Sequence, residues 1–132
     1  MAIAVTSLDH LVLTVADIRQ TVAFYENALG MTAEHFRPNG GSSRTALKFG
    51  SQKINLHLAR VEFEPKARNP LPGSADLCFL TETPLEVWQK HLTDQRIAIE
   101  LGPVPRTGAT GPINSLYLRD PDGNLIEVSV RA

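Results

Sequence analysis

The sequence predicts an α+β fold built from two βαβββ modules in a single chain of 132 residues. Three observations carry that expectation. Short apolar runs of strand type alternate with two amphipathic helical stripes. The order strand, helix, three strands occurs once before a proline-rich connector and again after it. The last strand follows a turn of Asp120, Pro121, Asp122 and Gly123, and it presents Glu127 on the face opposite Ile126, Val128 and Val130.

Taken in order, Leu8 to Val15 reads as the first strand, with His10, Val12 and Thr14 on one face. Asp17 is suited to cap a helix whose stripe is Ile18, Val22, Tyr25 and Leu29, and Gly30 is suited to stop it. Met31 to Arg37, Arg44 to Phe49 and Gln52 to Leu58 read as strands, with a flexible loop over 39–43. In the last of these, Lys53, Asn55 and His57 oppose Ile54, Leu56 and Leu58. The stretch 60–73 holds Pro65, Pro70 and Pro72 and reads as a connector. Asp76 to Thr81 is then a strand, and Thr83 and Pro84 open a helix with the stripe Leu85, Trp88 and Leu92. Ile97 to Leu101 is expected as a short strand and 102–111 as a long loop. Ile113 to Arg119 and Asn124 to Val130 close the chain as strands. The modules span about 5–60 and about 74–131, within one domain covering 1–132.

Composition narrows the function classes. The chain is 42% hydrophobic and 20% charged, with a formal net charge of -1 and no basic block. Nothing points to nucleic acid or to an anionic membrane surface. No apolar run approaches the roughly 20 residues of a spanning helix. The start, MAIAVTSLDH, lacks the pattern of a secretory signal, so a cytoplasmic protein is expected. The single cysteine, Cys78, excludes an internal disulfide and a cysteine-rich zinc site.

Counting from the helix starts makes His10 and Asp76 counterparts, each seven residues ahead of Asp17 and Thr83. Counting through the strand turns makes His57 and Glu127 counterparts, each eight residues beyond Phe49 and Arg119. All four can bind a metal, and they fall on the faces opposite the aliphatic ones. His35 and His91 have no such counterparts. Arg106, in the proline- and glycine-rich stretch, is a candidate clamp for an anionic substrate, and Lys53 and Asn55 share the face of His57.

LDHLVLTV, the helix end FYENALGM, KINLH and RDPDGNLIEVS together resemble the vicinal oxygen chelate superfamily, which includes glyoxalase I, fosfomycin- and bleomycin-resistance proteins, methylmalonyl-CoA epimerase and extradiol dioxygenases. More narrowly, FGSQKINLH, EFEPKARNPLPGSADLC and GPVPRTGATGPINSLYLRDPDGNLIEVS look like the group named glyoxalase domain-containing protein five. The resemblance implies a curved, half-open barrel around a divalent metal, with His10, His57 and Glu127 as ligands. Asp76 would be a fourth ligand or an orienting group behind the ligands. The metal would be zinc, iron, manganese, nickel or cobalt, and Glu127 could double as the catalytic base. The implied function is a lyase, isomerase or ring-cleaving dioxygenase step on a small substrate that chelates through adjacent oxygens. A metal-free drug- or metabolite-binding protein is the alternative. A homodimer is implied, with the modules paired within a chain or exchanged between chains.

Overall fold

A computed structural model describes residues 2–132. The chain divides into two compact units, the first ending at Pro70 and the second spanning Leu71–Ala132. The boundary falls inside the expected connector. Each unit is a βαβββ module, so the structure is an α+β fold with two open four-stranded mixed sheets. Among the described residues no helix is long and apolar enough to cross a membrane.

Unit 1 runs β1 (His10–Val15), α1 (Ile18–Leu29), β2 (Thr32–Phe36), β3 (Arg44–Phe49) and β4 (Gln52–Leu58), with a 3-10 turn at Pro38–Gly40. Its sheet order is β1-β4-β3-β2; β1 and β4 are parallel and the other pairs antiparallel. A parallel neighbour requires a crossover between its strands, and α1 lies within that crossover. The Asp17 carboxylate accepts from the Gln20 N–H at 2.9 Å, which satisfies one orphan donor at the start of α1. Gly30 ends the helix at φ 71°, where a side chain would be strained. The buried helix positions are Thr21, Tyr25 and Ala28, so the covered stripe is rotated from the expected one. The threonine is tolerated inside because its hydroxyl donates to the Asp17 carbonyl at 2.8 Å. Leu13, Val15, Leu47, Ile54 and Leu56 make the buried sheet face.

Unit 2 runs β5 (Asp76–Leu80), α2 (Leu85–Asp94), β6 (Leu101–Gly108), β7 (Gly111–Arg119) and β8 (Leu125–Arg131), in the order β5-β8-β7-β6. Two expectations are corrected here. The helix cap is Pro84, without a side-chain hydrogen bond; the nearby hydroxyl that works is Thr81 Oγ1, which accepts from the Thr83 N–H and from the Trp88 indole, both at 3.2 Å. More importantly, the expected loop at 102–111 is largely strand β6, whereas 97–100 has no regular structure. Pro103 and Pro105 are accommodated because β6 is an edge strand, and the register shifts between Leu101 and Val104. Gly102 is required there: at φ 114° a Cβ would fall on the Ser115 carbonyl oxygen.

The turn into β8 is a closed hydrogen-bond unit. Asp120 Oδ1 accepts from the N–H groups of Asp122 and Asn124, both at 2.9 Å, and Asp120 Oδ2 accepts from Asn124 Nδ2 at 2.7 Å. Asn124 Oδ1 accepts from the Ala75 N–H at 2.8 Å and ties the turn to the residue before β5. Asp120 and Asn124 are both buried. We expect Asn124→Ala to destabilise the protein by about 2 kcal/mol, since the buried Asp120 carboxylate and the half-buried Ala75 N–H each lose a bond. Lys90→Ala on exposed helix surface should shift stability by no more than about 0.5 kcal/mol. Urea unfolding of both variants checks this.

Candidate functional site

Strand pairing arranges the side chains of each sheet face in rows. In unit 1, His10 lies beside Lys53, Val12 beside Asn55 and Thr14 beside His57. In unit 2, Asp76 lies beside Leu125, Cys78 beside Glu127 and Leu80 beside Ser129. With the strand starts His10 and Asp76 matched, the counterpart of Glu127 is Asn55, and the counterpart of His57 is Ser129. This corrects the pairing reached by counting. Phe49 pairs with Gln52 across two residues, whereas Asp120 meets Asn124 across three, with a 3.1 Å backbone bond. Phe49 therefore corresponds to Asp120, not Arg119, and the longer turn adds a second offset. A total shift of two residues keeps the face and moves the row.

His10 and His57 are not brought together along the sheet. Four residues separate the strand positions they occupy, or about 13 Å at roughly 3.3 Å per residue. Among the described residues no three His, Cys, Asp or Glu side chains form a ready metal site. The surroundings of the two imidazoles also differ. His10 is exposed, and its Nδ1 lies 2.8 Å from Asp9 Oδ2. A carboxylate can only accept, so in the neutral ring Nδ1 carries the proton and Nε2 the lone pair. His57 is buried, with the Phe63 ring edge-on at 5.4 Å, and the Arg44 guanidinium lies 4.0 Å over that Phe63 ring. Burial, then the Arg44 charge, holds the His57 imidazole below its usual pKa, against a smaller opposing pull from Glu62.

Asn55 Oδ1 is buried and has no hydrogen-bond partner among the described residues. An orphaned carbonyl on the row matching Glu127 is an available oxygen donor. The Lys53 ammonium sits 4.4 Å over the Phe36 ring.

In unit 2, Glu127 is held from one side. Its Oε2 accepts from Ser115 Oγ at 2.6 Å and, more weakly, from Ser129 Oγ at 3.5 Å. The two hydroxyls are 2.7 Å apart, and Cys78 Sγ lies 3.3 Å from Ser129 Oγ. Oε1 carries no hydrogen bond among the described residues. The thiol is exposed. Partial desolvation raises its pKa, as does the Glu127 charge to a smaller degree, while Ser129 lowers it. Asp76, at the start of β5, is exposed.

Glu127 and Cys78 line a cavity of about 350 Å³ within unit 2, together with Leu80, Arg106, Ile113 and Arg131. Arg106 donates from Nε to Tyr117 Oη at 2.9 Å and from Nη1 to the Pro105 carbonyl at 3.0 Å. Sequence reasoning reached Glu127 and Arg106 but missed Asp9, Ser115, Ser129 and Arg131. Adjacent strand residues normally point apart, which hid the Asp9–His10 pair. The shared Ser115–Ser129 row was legible only once β7 and β8 were in register.

Comparison with known proteins follows this geometry. Residues 7–128 match the model of the Glyoxalase/Bleomycin resistance protein/Dioxygenase superfamily. Virulence protein STM3117 of Salmonella typhimurium is 58% identical over 122 residues, covering 92% of this chain and 82% of that protein. Its crystal structure superposes with a TM-score of 0.92, over 98% of this chain and 100% of that one. Glyoxalase domain-containing protein RDO1 of Mycosarcoma maydis is 54% identical, covering 96% of this chain and 69% of that protein. Two more distant structures share the fold. A lactoylglutathione lyase from Agrobacterium tumefaciens has a TM-score of 0.68 and 23% identity, over 96% of this chain and 95% of that one. TnmS3, an antibiotic-binding protein from a Streptomyces species, has a TM-score of 0.74 and 19% identity, over 99% and 100%.

The thiol environment is testable. Alkylation of Cys78 by iodoacetamide should rise with pH through a midpoint above that of the same thiol in the urea-unfolded chain. Glu127→Gln removes a charge that disfavours the thiolate and should move the midpoint down. A native midpoint at or below the unfolded one would contradict the arrangement.

Proposed function

The chain belongs to the Glyoxalase/Bleomycin resistance protein/Dioxygenase superfamily, and on that premise we propose a divalent-metal-dependent enzyme acting on a small substrate that presents two adjacent oxygens. The observation that carries this reading is the Asp9–His10 pair at 2.8 Å. A carboxylate on one ring nitrogen fixes the tautomer and turns the other nitrogen into a ligand, an arrangement recurrent at metal-binding histidines. Glu127 supports it with a free Oε1 on a carboxylate anchored by Ser115.

The proposed ligands are His10 and Glu127, with Asp76 orienting a water or standing as a further ligand. The place expected of His57 falls to Asn55, since His57 lies about 13 Å from His10 along the sheet. Zinc, iron, manganese, nickel or cobalt would suit such a nitrogen and oxygen set, and the cation would supply Lewis-acid stabilisation of a developing oxyanion. Glu127 is also the proposed base, on a carboxylate that Ser115 holds in place through Oε2. Lys53, Asn55 and Arg106 are proposed substrate contacts, and the reaction would be of lyase, isomerase or dioxygenase type. A homodimer acting in the cytoplasm is part of this proposal.

A metal-free binding protein is the second reading. It is favoured by the cavity of unit 2, whose arginines and carboxylate offer polar recognition without a metal, and TnmS3 of the same fold is described as binding an antibiotic.

Metal analysis of the purified protein by mass spectrometry separates the two readings. The expected result is near-stoichiometric metal in the native protein, lost in His10→Ala and Glu127→Ala. Asn55→Ala should lose more metal than His57→Ala, because His57 lies about 13 Å from His10 along the sheet and is covered by Phe63. A native protein that takes up no zinc, iron, manganese, nickel or cobalt on dialysis would leave the binding-protein reading standing.

A further inference from the structure

The cavity of unit 2 has a chemical polarity that indicates what fits it. Arg106 on β6, Ile113 on β7 and Arg131 on β8 form one row across three neighbouring strands. Directly opposed residues project from the same face, so the two arginines flank Ile113 on the face that carries Glu127. Neither has an ion-pair partner among the described residues, although both are anchored. Arg131 donates from Nη1 to Thr110 Oγ1 at 2.6 Å. Arg106 leans along the sheet to Tyr117, which is the register partner of Glu127. Its guanidinium is thereby drawn toward the row of the carboxylate, and Nη2 remains without a protein partner. The fixing bonds go to neutral oxygens, and both side chains are exposed, so their charges stay accessible to a ligand. Two cations and one carboxylate line a space of about 350 Å³, near the lower end of the roughly 300–1,000 Å³ common for small-molecule pockets.

We propose that this cavity binds a small molecule with a phosphate or carboxylate at one end and a hydroxyl at the other, the anion held by Arg106 and Arg131 and the hydroxyl directed at Oε1 of Glu127. An anion suits two guanidiniums that lack ion-pair partners among the described residues, because their planar donors match oxyanions. A proton-bearing group is required at Oε1 because a carboxylate presents only lone pairs. Ile113 and Leu80 supply apolar wall for a short carbon frame between the two ends. The inference rests on the reading of Glu127 as part of the functional site, and it narrows the substrate class to small hydroxylated anions. The anchoring end lies apart from the reacting end, so binding energy can position the oxygens that face Glu127.

The test uses the full chain, stripped of metal and dialysed, so its outcome is independent of the metal analysis. Isotope-labelled protein is titrated with glycerol 3-phosphate, inorganic phosphate and glycerol, following backbone amide shifts. The expected result is saturable binding of glycerol 3-phosphate with shifts centred on 104–116 and 125–131. It should be tighter than phosphate, and glycerol alone should not bind. Arg106→Gln and Arg131→Gln should each weaken glycerol 3-phosphate by about tenfold, the order of one charge-assisted contact. Glu127→Gln should change the preference for glycerol 3-phosphate over phosphate and leave phosphate affinity nearly intact. Retained amide dispersion certifies the fold of each variant. Non-saturable shifts spread over surface lysines and arginines, or equal affinity in either arginine variant and the native protein, would overturn the proposal.

Discussion

The position of every candidate residue in unit 2 depends on the register of β8. That strand lies between a parallel neighbour and an antiparallel one, and its start is set by the buried Asp120–Asn124 turn. Asn124 reaches the residue before β5, so one side chain sets both neighbours at once. A slip of one residue would exchange Glu127 with Ile126 and place a carboxylate among aliphatic groups. Desolvating such a charge without partners costs several kcal/mol, which makes the slipped register unfavourable. The same turn that orders the backbone therefore selects which face carries the chemistry.

Given that register, the local environment of Glu127 follows from its row neighbours. Ser115 and Ser129 are fully buried, yet each hydroxyl is satisfied within the Glu127–Ser115–Ser129–Cys78 string. A small buried polar network of this kind is tolerable because its members bond one another. It also immobilises one carboxylate oxygen and leaves the other open, which separates the structural role of the side chain from its chemical one. The unit 1 counterpart, Asn55, has the opposite character, a buried oxygen with no partner. Two modules of like topology thus carry unlike polar chemistry at matching rows.

The two histidines illustrate how environment, not residue type, assigns a role. Asp9 orients His10 at the exposed start of β1, whereas Phe63 encloses His57 under the stacked Arg44. Phe63 comes from the segment after β4, within the stretch the sequence marks as a connector. That segment is partly organised by Glu62, which accepts from the Arg60 N–H at 2.6 Å and pairs with Lys66 at 3.2 Å. A proline-rich connector here packs against a sheet residue instead of merely spanning a gap.

The sequence alone determined the duplicated βαβββ order, the two helices, seven of the eight strands and the faces on which Glu127 and His10 stand. These are local properties: alternation along a strand, the stripe of a helix and the chemistry of turns are written in neighbouring residues. Strand β6 escaped because its prolines signal a loop unless the strand is known to lie at a sheet edge, and edge position is a tertiary fact. Tertiary structure alone decided that Asn55 matches Glu127, that Arg106 and Arg131 share a row, and that His57 lies under Phe63. Each depends on pairing between segments separated in the chain, where a one-residue offset before the turn and one extra residue within it together move the row, and counting along the sequence does not register that shift.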